Sequence, residues 1–235
     1  MFITIRKIGA VVLLLGLTLV SCVPQPTPSV MPSPESALPT STPTRTPPPT
    51  PTPTPTGIVL QPGSYDDGLL SIAVNDGVVT GFYENYTGWD EKLQAPRFSC
   101  LFFFVGRIQN SRVEIATSDT RGTVELLGNG QVKISLEEEP GGCWNVEPRF
   151  DEEGVVFELT EREEWKFIRM VASERAYFHD HPDETGRGKS YIIEGDVLRV
   201  FEVEGDWVRG EHHGSQGITT GWIKESDLYE INMDL

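Results

Sequence analysis

A run of proline and threonine divides the chain and limits where it can fold. Residues 23–56 contain 13 of the 18 prolines. Because proline fixes φ and has no backbone N–H, neither a helix nor a sheet ladder can persist in such a segment. We expect an extended polyproline-II spacer, which at about 3.1 Å per residue would reach on the order of 100 Å. A packed core is therefore expected only from Gly57 onwards.

The segment before the spacer has the pattern of an export signal. Arg6 and Lys7 form a positively charged start, and residues 8–20 form an apolar run. That run is shorter than the roughly 20 residues that a membrane-spanning helix needs. Its length is typical of the apolar region of a cleaved signal peptide. We therefore assign residues 1–21 to a signal peptide.

The four residues Leu19-Val20-Ser21-Cys22 resemble the lipobox of bacterial lipoproteins. In that family a small residue precedes a cysteine whose sulfur receives a diacylglyceryl group, and cleavage then makes this cysteine the first residue. The resemblance implies that Cys22 carries palmitate-type chains and begins a linker that ends at residue 56. It also implies a cell-envelope protein anchored by lipid on the extracytoplasmic side of a membrane. An ordinary secretory signal with a chance cysteine is the alternative interpretation.

The balance of charge argues against one class of partner. The formal net charge is −16, and all but one of the acidic residues follow residue 56. No basic stripe stands out, so we predict no nucleic-acid partner, because phosphate contacts need clustered Lys and Arg. Two acidic clusters, residues 137–139 and 151–153, offer oxygen ligands of the kind that Ca²⁺ takes. Neither has the spacing of a calcium loop, so we predict solvated acidic faces, no metal and no cofactor.

Residues 57–166 alternate short apolar runs with turn residues and show no long helical period. Glycine-containing turns at residues 75–77 and 128–130 separate pairs of such runs, which is typical of β-hairpins. The predicted strands are residues 69–74, 78–83, 98–108, 112–117, 123–127, 132–136 and 154–160. Antiparallel strands in this number predict an all-β domain, either a barrel or a sandwich.

The cysteines of this region predict a crosslink. Lipidation of Cys22 would leave only Cys100 and Cys143. An even pair of cysteines in an oxidising compartment is typical of a disulfide. A catalytic thiol would need a nearby histidine, and all four histidines lie beyond residue 175.

One segment of the same region concentrates aromatic and acidic residues. Residues 83–91 hold three aromatic and three acidic side chains, and we expect them to form a loop. Aromatic loops often serve recognition, but we favour the alternative that this one folds back on the end of the barrel. An enzyme would need a carboxylate pair at a defined separation, such as Glu84 with Asp90. Nothing in the sequence supports that geometry, so we expect no enzyme.

Residues 167–235 carry an ordered set of short motifs. In chain order they are Ala176-Tyr177-Phe178, Pro182 in a polar loop running to Lys189, Gly195-Asp196, Gly205-Asp206-Trp207-Val208 and Gly221-Trp222-Ile223. Together they resemble the bacterial SH3 (SH3b) family over some 60 residues. The resemblance implies a small SH3-like barrel that follows the first domain. It further implies ligand binding, commonly to peptidoglycan peptides or other wall components.

The aromatic positions of that family are candidates for the binding surface. Tyr177, Trp207 and Trp222 match them, and core or rim packing is the alternative role, favoured for Trp222. In the family's arrangement the segments of Tyr177 and Trp207 approach each other, so the two rings would wall one groove. The histidine pairs, residues 179–181 and 212–213, could bind Zn²⁺ with a third ligand. We place both pairs in loops and expect them to be solvated.

These observations favour a non-catalytic, lipid-anchored envelope protein that binds a wall component, either peptidoglycan or a wall-associated protein, through its SH3b-like module. SH3b units are often appended to wall hydrolases, but no hydrolase motif accompanies this one. A second hypothesis is an envelope lipoprotein that inhibits a lysozyme-like wall hydrolase, with acidic loops set against a basic enzyme.

Overall fold

The computed structural model describes residues 59–231, and within that range the fold is all-β, as predicted. Cys22 and the spacer lie outside the described residues. The strands are β1 Gly63–Tyr65, β2 Leu70–Asn75, β3 Val78–Asp90, β4 Ala95–Gln109, β5 Arg112–Ala116, β6 Arg121–Gly128, β7 Gln131–Leu136, β8 Val155–Arg162, β9 Phe167–Met170, β10 Ala176–His179, β11 Arg187–Ile192, β12 Val197–Glu204, β13 Trp207–Gly214 and β14 Gly217–Lys224. Within residues 59–231, no helix has the length and apolar character that crossing a membrane requires.

The first eight strands form a closed antiparallel barrel, so the sandwich alternative is wrong. Each strand pairs with the next in sequence, and β1 pairs with both β2 and β8 to close the ring. The predicted hairpin turn between β2 and β3 is present. Asp76 and Gly77 have φ of 50° and 77°, the left-handed pair that a tight hairpin needs. The predicted turn at Asn129-Gly130 has the same signature, with φ of 54° and 80°.

Aromatic rings fill the interior of the barrel. Tyr83 packs against Phe150 with ring centroids 4.9 Å apart and against Phe102 at 5.2 Å. Deeper in the barrel, Phe104 lies opposite Gly81 on the neighbouring strand. A Cβ at Gly81 would sit 2.1 Å from the Phe104 ring, so only glycine leaves room for that ring. The core is thus built from large side chains facing inward on alternate strand positions.

The predicted disulfide between Cys100 and Cys143 is present, and both cysteines are buried. It joins β4 to a short 3-10 helix, Cys143–Asn145, in the long connection between β7 and β8.

Glu139 lies in the same connection, and its position contradicts the prediction of a solvated acidic face. It is buried, and one carboxylate oxygen accepts a hydrogen bond from the backbone N–H of Phe150 at 2.8 Å. Burial raises the pKa of the Glu139 carboxyl.

The remaining strands form a second antiparallel sheet in the order β11-β10-β14-β13-β12-β9. The strand of this sheet that comes first in the chain, β9, was not predicted from the sequence. The predicted polar loop to Lys189 is shorter than expected, because β11 already begins at Arg187. The core of this sheet consists of Val171, Ala176, Phe178, Ile192, Leu198, Val200, Val208, Ile223 and Leu228.

The barrel and the second sheet meet in a buried junction. It consists of Ala73, Phe82, Trp165, Ile168 and Val197, with Phe103 packed against them. The backbone N–H of Ile168 donates to the hydroxyl of Thr80 at 2.7 Å, so β9 is hydrogen-bonded to a barrel strand.

One charged side chain crosses this junction. Arg199, on β12, is only 4 % exposed. Its Nε donates to the Ser71 hydroxyl at 3.1 Å, and its guanidinium lies 3.7 Å from a carboxylate oxygen of Glu84. The same guanidinium lies 5.5 Å from the centre of the Trp165 ring. Arg199 therefore ties the second sheet to β2 and β3 of the barrel.

Candidate functional site

A cavity of about 1230 Å³ lies in the second sheet. It is bounded by the loop after β10, the first residues of β13 and the residues that follow β14. We call it the Trp207 groove. Ligand pockets in proteins are commonly about 300–1,000 Å³, so the groove has room for a peptide or a short glycan.

Trp207 is the main aromatic side chain of the groove, and two neighbours hold its ring. It begins β13 directly after the turn at Gly205-Asp206, where Gly205 has φ of 56°. The imidazole of His179 packs edge-on against the indole, with ring centroids 4.7 Å apart. On β14, the ammonium group of Lys224 lies 5.7 Å from the centre of the indole ring, within cation–π range. The indole is thus positioned from two adjacent strands.

The loop after β10 forms one wall of the groove and is fixed by local hydrogen bonds. The Asp183 carboxylate accepts from the backbone N–H groups of Thr185 and Gly186, at 2.8 and 3.0 Å. Hydrogen bonds from Thr185 also hold the pKa of the Asp183 carboxyl below its ordinary value. The carbonyl of Asp183 contacts Nδ1 of His179 at 2.8 Å. The ring that packs on Trp207 therefore also holds this loop.

Charged side chains of both signs border the groove. Glu184 and Lys224 form an ion pair across it, and Lys224 lowers the pKa of the Glu184 carboxyl. On another wall, the guanidinium of Arg169 donates to the carbonyl of Tyr229 at 2.8 Å and lies 3.2 Å from a carboxylate oxygen of Glu225. The apolar part of the lining includes Phe167, Val203 and Leu228. Such a surface suits a ligand with an apolar face and charges of both signs.

The structure does not bring the three predicted aromatic residues together. Trp222 is only 7 % exposed and offers little surface to a ligand. Tyr177 is not among the residues that line the Trp207 groove. Its ring packs instead on Tyr191 of β11, with centroids 5.5 Å apart. Of the three candidates, only Trp207 lies in the groove.

The prediction of solvated loop histidines is confirmed for His181, which is exposed in the loop after β10. It is wrong for the other three, which lie in strands, although His213 is exposed there. His179 is the last residue of β10 and is 5 % exposed. His212 and His213 lie within β13, where Nδ1 of His212 contacts the carbonyl of Val197 at 2.9 Å and Nε2 of His213 contacts Glu211 at 2.9 Å. In residues 59–231, the one group with metal-ligand proximity is Cys100, Glu139 and Cys143, and its sulfurs are used in the disulfide.

The aromatic segment at residues 83–91 is a strand and not a loop. β3 continues to Asp90 and pairs with β4 as far as Ala95. Beyond Tyr83, β3 no longer pairs with β2, so the segment becomes a two-stranded ribbon. Trp89 in this ribbon is 63 % exposed, so it does not fold back on the barrel end.

The carboxylates of this ribbon are engaged with arginines. Glu84 faces Arg199 in the junction, and Asp90 binds Arg97 at 2.7 Å. One oxygen of Asp90 also accepts from the backbone N–H of Lys92 at 2.9 Å, which fixes the turn of the hairpin. These contacts give both acids structural roles.

Comparisons with known proteins found no match. No family model matches the chain, no curated protein is detectably similar to it, and no solved structure matches its fold.

Proposed function

We propose that the second sheet is a binding module that recognises a cell-wall component in the Trp207 groove, and that the chain is held at the cell envelope by lipid on Cys22. The observation that carries the binding proposal is the indole of Trp207, which is held in place within a cavity of about 1230 Å³. A ring that is already fixed by His179 and Lys224 loses little conformational freedom when a ligand packs on it.

The lining of the groove supports a peptide or peptidoglycan fragment as the ligand. Wall peptides carry carboxylates, amines and short apolar side chains. The groove offers a cation at Lys224, carboxylates at Asp183 and Glu184, and an apolar surface beside them. The order of the motifs around Trp207 resembles that of SH3b modules, which supports the same class of ligand. No catalytic arrangement is needed for such a role.

Replacing Trp207 with alanine is expected to weaken binding to purified peptidoglycan about fivefold or more. Truncation of a central aromatic anchor commonly costs over ~1 kcal/mol. The measurement is co-sedimentation of the exported head, residues 57–235, with peptidoglycan over a range of polymer concentrations.

Trp144→Ala is the matched control for that experiment, because Trp144 is 60 % exposed and belongs to the barrel connection. It should leave binding unchanged, and so should added chelator. Equal binding by the Trp207 variant and the parent would contradict the proposal. Inhibition of a lysozyme-like hydrolase by both proteins would instead favour the inhibitor hypothesis.

The lipid anchor is tested separately. Cys22→Ser should abolish incorporation of a palmitate analogue, since only the thiol accepts the diacylglyceryl group. The variant should also leave the membrane fraction, because several acyl chains together anchor a protein far more firmly than one. Cys22→Ala serves as a second variant with the same expected result. Labelling of the serine variant at the level of the parent would refute lipidation at Cys22.

A further inference from the structure

Two arginines and two tyrosines form a compact cluster at the outer edge of the second sheet. Tyr177 on β10 and Tyr191 on β11 are cross-strand partners. The guanidinium carbon of Arg187 lies 3.6 Å from the centre of the Tyr177 ring, and that of Arg175 lies 4.9 Å from the centre of the Tyr191 ring. We call these four residues the arginine–tyrosine cluster. None of them lines the Trp207 groove.

The charge of this cluster is unusual for the chain that carries it. The net charge is −16, yet among residues 59–231 neither Arg175 nor Arg187 lies within 4.0 Å of a carboxylate oxygen. Arg175 and then Arg187 lower the pKa of the Tyr177 hydroxyl, so negative charge is favoured at this position. The Tyr177 hydroxyl contributes most to the raised pKa of the Arg175 guanidinium, and Glu174, its neighbour in sequence, contributes least.

Charged residues on an edge strand often serve only to prevent pairing with other strands. That role needs a charge and no particular geometry. Here each guanidinium lies over a tyrosine ring, and both also interact with the Tyr177 hydroxyl. Arg175 and Arg187 are exposed, so their remaining N–H donors are accessible to a ligand. A guanidinium presents a fork of N–H donors that matches the two oxygens of a carboxylate or phosphate.

We propose that Arg175, Tyr177, Arg187 and Tyr191 form a receptor for an oxyanion, a carboxylate or phosphate group of a ligand outside the cell. The two guanidinium groups bind the anion, and the tyrosine rings hold them in place. Because β11 is the outermost strand of the sheet, the anion reaches the cluster without any opening of the fold. The four residues of the cluster are different from those that line the Trp207 groove, so either proposal can fail alone.

The test is a titration of the exported head with inorganic phosphate and, separately, with acetate, at constant ionic strength. Chemical shifts of the arginine Nε–H groups and of the backbone amides of Tyr177 and Tyr191 are followed by NMR, so that variants without the two arginines can be measured in the same way. We expect saturable shifts at Arg175 and Arg187 with at least one of the two anions. The anion that binds more tightly identifies the source as phosphate or carboxylate.

Arg175→Gln with Arg187→Gln should weaken the binding at least tenfold. Arg187→Lys, which keeps the charge and loses the fork, should weaken it by an intermediate factor. Arg121→Gln with Arg162→Gln removes the same charge from exposed positions on the barrel and should leave the affinity unchanged. Linear shifts without saturation, or equal affinity in the two double variants, would overturn the proposal. Unfolding midpoints show whether each variant is folded.

Discussion

Replacing Cys100 and Cys143 together with alanine is expected to lower the free energy of unfolding by about 4 kcal/mol. The two residues are 43 apart in sequence, and a crosslink of that span removes chain entropy worth roughly 3–4.5 kcal/mol from the unfolded state. The bond also fixes the connection between β7 and β8 against β4, where both sulfurs are buried. Denaturant unfolding of residues 57–235 without reductant measures the difference.

Reductant gives the matched comparison for this variant. It should lower the stability of the parent to that of the double alanine variant and leave the variant unchanged. Alkylation of the denatured, non-reduced parent should find no free thiol. A loss of stability below about 1 kcal/mol would mean that the crosslink contributes little to the barrel.

Replacing Arg199 with alanine is the second large effect expected, a loss of about 3–5 kcal/mol, as for other buried ion pairs that lose one partner. Arg199 bridges the junction through Ser71, Glu84 and Trp165. Burial lowers the pKa of its guanidinium, and the nearby acids Glu84, Glu211 and Glu163 oppose that shift. Without the cation, the Glu84 and Glu163 carboxylates lose the positive charge that offsets them, while Glu211 keeps its contacts with His213 and the Trp165 N–H. Thermal or denaturant unfolding should show the loss.

The dependence on pH separates this mechanism from simple loss of packing. Burial already raises the pKa of the Glu163 carboxyl, followed by repulsion from Glu161 and Glu211. Removing Arg199 raises it further. A carboxyl whose pKa is higher in the folded state supports the fold while protonated and ceases to do so as the pH rises. The Arg199→Ala variant should therefore lose more stability at pH 7 than at pH 4.

Arg209→Ala is the control for the Arg199 variant. Arg209 also lies in the second sheet and pairs with Glu202, but both side chains are substantially exposed. Exposed pairs contribute about 0–1 kcal/mol, so this variant should remain close to the parent at both pH values. An equal loss in the two variants, or a loss independent of pH, would contradict the role given to Arg199.

The hairpins were predictable because their signals are local. Asp76-Gly77 and Asn129-Gly130 specify the left-handed turn residues themselves, and alternating apolar positions flank them. The length of β3 was not predictable in the same way. After Tyr83 the segment is rich in polar side chains and lacks the apolar alternation of a buried strand. Its extended conformation comes from backbone pairing with β4, which the residues of the segment itself do not reveal.

Long-range contacts also explain the errors at buried polar residues. Glu139 lies in an acidic run that reads as solvated, and its burial depends on N–H groups of Phe150 and Asp151, which are distant in sequence. His179 contacts Trp207 because β10 and β13 both border β14. The turn motif was therefore enough to select Trp207 as a candidate residue from the sequence. The contact of His179 with its ring could not be predicted in the same way.

The way the barrel closes has a mechanical consequence for an anchored protein. If the chain is attached to a membrane at Cys22, as we propose, any tension passes along the spacer and enters the fold just before β1. That strand has only three residues, yet it pairs with β2 on one side and β8 on the other. Pulling would therefore act first on the pairing of β1 with β2 and β8, which closes the barrel. The segment that follows β8 contains Trp165, which packs in the buried junction with the second sheet. Resistance to force would depend first on the strand pairs of β1 and then on the packing of the junction.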